Sequence, residues 1–180
     1  MVKVLVPIAN GSEEMEAVIV IDVLRRAQWE VTCVGLDERP IKASRGVVIV
    51  PDAAWNSLDT AAYDMIVIPG GNEGARNLRG DPRVLKTVRD FFEAGKVVAA
   101  ICAGPLVLQE AGILKDRKMT CHPNVVSELT ATRRLEEKVV VDGHLVTSQG
   151  PGTAFQFALT LVAMKDGQEK ADALAKAMVL

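Results

Sequence analysis

The segment Val97-Val98-Ala99-Ala100-Ile101-Cys102-Ala103-Gly104-Pro105 carries the strongest chemical signal in the chain. An apolar run ends on a thiol, and small residues stand two positions before and two after it, at Ala100 and Gly104. A sharp strand-to-helix turn requires this, because the residues flanking the nucleophile nearly touch, as in the serine elbow of hydrolases. Such a turn aims the side chain into a cleft and places it beside helix amides that favour a thiolate, the nucleophilic form. The plainer alternative for Cys102 is a small buried residue, as cysteines often are.

A thiolate needs partners. Ile19, Val20 and Val23 follow Glu16 at three, four and seven positions, which is one apolar helix face. A carboxyl on that face has a raised pKa and keeps its proton near neutrality, so it can donate a hydrogen bond to an anion. At a helix edge it would instead be solvated like Glu13 and Glu14. His122, in Cys121-His122-Pro123, is a loop imidazole that can act as a base, an orienting group or mere surface. His144, beside a hairpin turn, reads as inert.

The glycine-rich Gly70-Gly71-Asn72-Glu73-Gly74 follows a strand but lacks the Walker lysine and serine and the Rossmann spacing. Glu13 and Glu14 occupy the first turn where a dinucleotide would need bare amides. No nucleotide cofactor is expected. The amides of Gly71 and Ala103 suit an oxyanion pocket for Cys102 chemistry better.

These groups must be held by regular elements. Val2 to Ile8 is a continuous apolar run, as in a strand buried on both faces of a parallel sheet. Asn10-Gly11-Ser12 breaks it, and a helix is predicted from Glu13 to about Ala27, with Ser12 as N-cap and two carboxylates at the positive end of its dipole. Strands follow at Glu30 to Leu36, as a short pair around Ser44-Arg45-Gly46, and at Met65 to Ile68. A helix is predicted from about Asp81, with Pro82 in its first turn, to Ala94. Lys96 to Ile101 and a helix from Gly104-Pro105 to Glu110 frame the cysteine. Asp142-Gly143 marks a hairpin, and helices Gly152 to Met164 and Gln168 to Val179 close the chain. Alternating strands and helices predict a single-domain α/β doubly wound sandwich over residues 1–180, with a mostly parallel sheet and ligands at the carboxyl ends of its strands.

Composition agrees. At 180 residues, 49% hydrophobic and 24% charged with a net charge of -2, the chain is an ordinary globular sequence. It has no basic stripe for nucleic acid. No apolar run reaches the ~20 residues that span a bilayer. The N-terminal run reads as a strand and not a signal peptide, so a soluble cytoplasmic protein is expected. Cys33, Cys102 and Cys121, an odd number without paired spacing, argue against a disulfide scaffold and a structural zinc site. The first predicted helix is apolar on more than one face, with Ala17, Ile21 and Leu24 beside a Met15, Val18, Ile19 stripe. A partner should cover part of it, which predicts a symmetric homodimer. Arg26 and Arg45 are candidates for that interface or for an anion site beside the cleft.

Taken together the chain resembles the ThiJ/PfpI superfamily, in its DJ-one-like branch, that of the Parkinson-disease-associated protein deglycase. The matching stretches run in order over essentially the whole length: Gly11-Ser12-Glu13-Glu14-Met15-Glu16, Ser44-Arg45-Gly46, Pro69-Gly70-Gly71-Asn72, Ala99 to Pro105, His122-Pro123 and Thr147-Ser148-Gln149-Gly150-Pro151-Gly152-Thr153. The resemblance implies a flavodoxin-like fold, a homodimer, an oxidation-sensitive Cys102 held by a protonated Glu16, and His122 in the place of the family's nearby histidine. It also implies glyoxalase activity without glutathione, from methylglyoxal to lactate, together with protein or nucleotide deglycase and oxidative-stress chaperone functions. Two departures narrow it. Ala103 stands where the protease-like branch has a histidine, and His144-Leu145-Val146 does not supply the His-x-Glu pair of glutamine amidotransferases.

The expected function is therefore a cofactor-independent, metal-independent cysteine enzyme acting on small α-oxoaldehydes. Cys102 is the nucleophile, Glu16 and His122 move protons, and Gly71 and Ala103 hold the oxyanion. The rival is a redox sensor or chaperone acting through oxidation of Cys102 to sulfinate. Both uses want the same acidic thiol, and a vestigial cysteine on a binding scaffold is the third reading. Cys121, next to His122, is a further thiol of unassigned use that would complicate redox readings.

Overall fold

A computed structural model describes residues 1–130 and 132–180. The chain runs β1 (Lys3–Ile8), α1 (Glu14–Arg26), β2 (Glu30–Gly35), β3 (Ile41–Lys42), β4 (Val48–Ile49), β5 (Ala53–Ala54) and β6 (Met65–Ile68). It continues through α2 (Asn72–Arg79), α3 (Pro82–Glu93), β7 (Val97–Ile101), α4 (Pro105–Glu110), β8 (Lys118–Met119) and β9 (Arg133–Arg134). The last elements are β10 (Val139–Asp142), β11 (Leu145–Ser148), α5 (Ala154–Asp166) and α6 (Gln168–Ala177).

Seven strands form one sheet in the order β10-β11-β7-β6-β1-β2-β5, parallel except where β10 and β11 form the hairpin expected at Asp142-Gly143. Each interior strand sends alternate residues to opposite faces, which is why their sequences are apolar throughout. Leu5, Ile66, Ile68, Val98 and Ala100 pack with Leu78 of α2, Val88 and Phe91 of α3, and Leu106 of α4. Val4, Val6, Met65, Val67 and Ala99 pack with Val20 and Val23 of α1 and Phe157 and Leu161 of α5. Burial of each of the larger of these side chains, Val and above, contributes roughly 1.5–3 kcal/mol. The result is the predicted flavodoxin-like sandwich. No helix among the described residues is long and apolar enough to cross a membrane.

β1 pairs with β2 on one side and with β6 on the other. The connections leaving β1 and β6 therefore diverge, and a crevice opens at their carboxyl ends, the place where such sheets bind ligands. The β7 end, carrying Cys102, adjoins it.

Two expectations need correction here. Ser12 is not the N-cap of α1: its hydroxyl accepts the Ala9 N–H at 3.0 Å, and Glu13 holds the cap position without a side-chain cap bond. The glycine-rich stretch after β6 is not only a loop, because α2 begins at Asn72. Gly74 is inside that helix for clearance, since a methyl group on it would lie 2.4 Å from Ser12 Cα.

Candidate active site

Cys102 has φ +64, a conformation sparsely populated by residues with a side chain. The turn is held on all sides. The Cys102 N–H donates to Ser148 O at 2.9 Å, its carbonyl accepts the His122 N–H at 3.0 Å, and the Gly104 N–H donates to Ile101 O at 2.8 Å. The requirement for a small residue at 104 is real: a methyl group there would stand 2.6 Å from Ile68 O and 2.9 Å from Ile101 O. Gly70, which spacing did not single out, is just as constrained. A methyl group on it would lie 2.6 Å from Cys102 Cβ and 2.8 Å from Glu16 Oε2.

Glu16 is fully buried on the inner face of α1, as its apolar spacing predicted. Its Oε2 accepts the Gly70 N–H at 2.7 Å. Its Oε1 is buried with no partner, and the Cys102 thiol is the hydrogen-bonding group beside the carboxyl. Burial pushes this carboxyl up to about 7; the bonds from Gly70 and Cys102 pull it down, and the charge of Glu13 adds to the rise. A proton on this carboxyl removes the cost of burying a carboxylate and makes the group a donor to the thiol beside it.

Bonding from the backbone amides of Gly71 and Ala103 favours the Cys102 thiolate. Burial outweighs them, and with the ionised Glu16 pushes the thiol up to about 12. The elbow alone therefore does not make the acidic thiol expected from sequence. Thiol and carboxyl share their protons as one coupled pair, and a thiolate is favoured only while Glu16 keeps its own proton.

Cys102 opens into a cavity of about 380 Å³ that is also lined by Gly71, His122, Glu13, Ser44 and Arg45. His122 Nδ1 accepts the Asn124 N–H at 3.2 Å, so the neutral ring carries its hydrogen on Nε2. Glu13 and Glu14 are not solvated; they are 8% and 7% exposed. Ser44 Oγ lies 2.6 Å from Glu13 Oε2 and 2.9 Å from Glu14 Oε2, and the Arg45 N–H donates to Glu14 Oε1 at 2.8 Å. These contacts and burial oppose each other at Glu14, whose carboxyl ends below its usual range. The clasp fixes the Ser44-Arg45 turn at the cavity mouth. No local signal could have revealed it, since its partners lie 30 and 31 residues apart in sequence.

Other candidates lie elsewhere. Arg26 pairs with Asp22 at 2.6 Å on the exposed far end of α1, so an anion site beside the cleft is not its role. His144 is held by Phe92, with Nε2 3.1 Å from its carbonyl oxygen. Cys121 is fully buried in the core on the α2–α4 side, where burial raises its thiol and Arg134 lowers it. Among the described residues no group of three or more His, Cys, Asp or Glu is arranged to hold a metal ion.

Comparison with known proteins adds to this geometry. The profile of the DJ-1/PfpI family matches residues 2–164. Protein DJ-1 homolog B of Arabidopsis thaliana is 42% identical over 180 residues, covering 99% of this chain, which spans only 41% of that relative. A glutathione-independent glyoxalase of Caenorhabditis elegans is 37% identical, covering 95% of this chain and 92% of its own length. The structure of oxidised Toxoplasma gondii DJ-1 superposes with a TM-score of 0.95 at 38% identity, covering 99% of this chain and 98% of that one.

Proposed function

This chain belongs to the DJ-1/PfpI family, and from that premise we propose that it is a cofactor-independent glyoxalase that uses Cys102 to convert methylglyoxal to lactate. One observation carries the reading: the fully buried Glu16 carboxyl, the Ala103 nitrogen and the Cys102 side chain crowd around Gly70 where Cys102 lines a cavity. The similarity to a C. elegans glyoxalase supports the same chemistry.

The Cys102 thiolate adds to the aldehyde carbon and forms a hemithioacetal. The amides of Gly71 and Ala103, whose bonding favours the thiolate, lie beside the carbon it attacks and stabilise the developing oxyanion. Glu16 gives its proton to that oxyanion and, now ionised and assisted by His122, takes the proton from the first carbon and returns it to the second, which leaves a thioester of lactate. Water then cleaves the thioester and restores the thiol. A carboxyl poised at about 7 suits both directions of this transfer. The test is lactate formation from methylglyoxal by protein freed of metal and glutathione. Turnover that disappears in Cys102→Ser supports the reading, and absence of lactate from the unmodified protein overturns it.

A second reading has its own support. The T. gondii relative was solved oxidised, and the same amides would hold a sulfinate on Cys102, as a redox sensor or redox-regulated chaperone requires. Gain of holdase activity after peroxide, in protein that forms no lactate, favours this alternative.

The assembly we propose is a symmetric homodimer. Met15 and Val18 on α1 are 53% and 51% exposed, and Val48 and Val50 beside them are 63% and 72% exposed. Val18, Ile21, Ile49 and Val50 line one shared hollow edged by Asp22, Arg25 and Asp52, an apolar strip with a charged rim of the kind that partners cover. A monomer mass by light scattering at micromolar concentration overturns the assignment.

A further inference from the structure

The cavity that holds Cys102 is lined by two carboxylates, Glu13 and Glu73, and one guanidinium, Arg45. Glu13 is nearly buried and engaged by Ser44. Glu73 is exposed and takes part in no ion pair among the described residues. Its place is nevertheless constrained. Gly11, at φ +79 in the turn after β1, leaves a gap that Glu73 fills: a methyl group on Gly11 would lie 2.4 Å from Glu73 Cβ and 3.0 Å from its carboxyl carbon. The side chain is thus laid across the turn at the cavity rim. A favourable first-turn position on α2 accounts for an acid there, but not for its lying over Gly11.

We infer that Glu73 sets the charge selectivity of the Cys102 cavity, admitting uncharged and cationic electrophiles and disfavouring those that carry a carboxylate. Arg45 offsets only one of the two lining carboxylates, and a cavity of about 380 Å³ is no wider, in order of magnitude, than the roughly 8 Å screening length of physiological salt. Among α-oxoaldehydes, methylglyoxal would then be preferred over glyoxylate. The inference rests on the reading of Cys102 as the reacting thiol.

The experiment compares alkylation of Cys102 by neutral iodoacetamide and anionic iodoacetate, read by mass on the Cys102 peptide, in the unmodified protein and in Glu73→Gln. At low ionic strength Glu73→Gln should raise the iodoacetate rate relative to iodoacetamide by roughly three- to tenfold, and about 0.5 M salt should shrink that change. A loosened α2 or a shifted thiol would change both rates by the same factor, and that result overturns the inference, as does an unchanged ratio. In a parallel arm the kcat/KM ratio of glyoxylate to methylglyoxal should rise in Glu73→Gln. If neither aldehyde is converted, the glyoxalase reading falls while the alkylation ratio still decides the role of Glu73.

Discussion

Cys102 follows β7 and Cys33 lies in β2, two strands of one sheet with β6 and β1 between them, and burial pushes both thiols up to about 12. Their surroundings differ. Cys33 lies within β2 at 4% exposure, in ordinary strand conformation, beside Asp52, whose charge raises its thiol further and whose N–H donates to the Cys33 carbonyl at 2.8 Å. Cys102 stands one residue past the end of β7 at φ +64, half-buried at a cavity, with two amides whose bonding favours its thiolate and a carboxyl that can carry a proton beside it. Asp52, by contrast, is held in an exposed ion pair with Arg25. The contrast teaches that a thiol's usefulness depends less on how far burial raises it than on whether its neighbour can hold the proton and its sulfur can be reached.

Removing that neighbour's proton chemistry should have the largest effect. Glu16→Gln keeps a donor for the sulfur but cannot exchange a proton, so glyoxalase turnover should fall by about 10²–10⁴-fold. Oxidation of Cys102 by peroxide should persist, and Cys33 should be unaffected. Undiminished conversion of methylglyoxal would remove Glu16 from the mechanism.

The same carboxyl gives the Cys102 region a pH signature that the Cys33 region lacks. The Glu16 pKa rises from 4.5 in the unfolded chain to about 7 in the fold. Its contribution to stability is therefore fully present below pH 4.5 and is lost as pH rises through 7. Relative to Glu16→Gln, the unmodified protein should lose on the order of 3 kcal/mol across that window. Urea denaturation of both proteins at several pH values checks this. Parallel curves would mean that Glu16 titrates alike in the folded and unfolded chain.

Gly70 tests the packing around the elbow. Gly70→Ala puts a methyl group 2.6 Å from Cys102 Cβ and 2.8 Å from the Ala103 nitrogen. Overpacking of this kind costs about 1–3 kcal/mol, and here it also displaces the thiol from Glu16. Loss of stability together with loss of turnover is expected, with Cys33 alkylation unchanged. A stable and fully active Gly70→Ala protein would show that the elbow has slack.

The smallest effect is a direct race between the two thiols. In the native protein iodoacetamide should modify Cys102 about tenfold faster than Cys33, or more, because access and the two amides favour it. Its rate should level off above pH 7, where ionised Glu16 opposes a second charge. Peptide mass mapping gives both rates, and equal labelling would erase the distinction.

Much of this molecule is written in contiguous residues. The apolar runs of β1, β6 and β7, the small residues around Cys102, and the spacing of Glu16 against Ile19, Val20 and Val23 all specify local geometry. Fold class, elbow and a buried carboxyl are therefore legible in the sequence by itself. Helix α2 is not, because Gly70, Gly71 and Gly74 read as a loop when their role is close approach to Ser12, Glu13 and Cys102. Nor is the clasp on Ser44, 31 residues from Glu13, or the bond from Gly70 to Glu16, 54 residues away. Such contacts depend on which strand lies beside which in the sheet. A hydrogen bond is made or lost within a few tenths of an ångström, and only the tertiary packing of β1, β6 and β7 brings three distant turns to that distance. The same packing sets the balance between burial and the amides at Cys102, so sequence locates the thiol and tertiary structure decides how firmly it holds its proton.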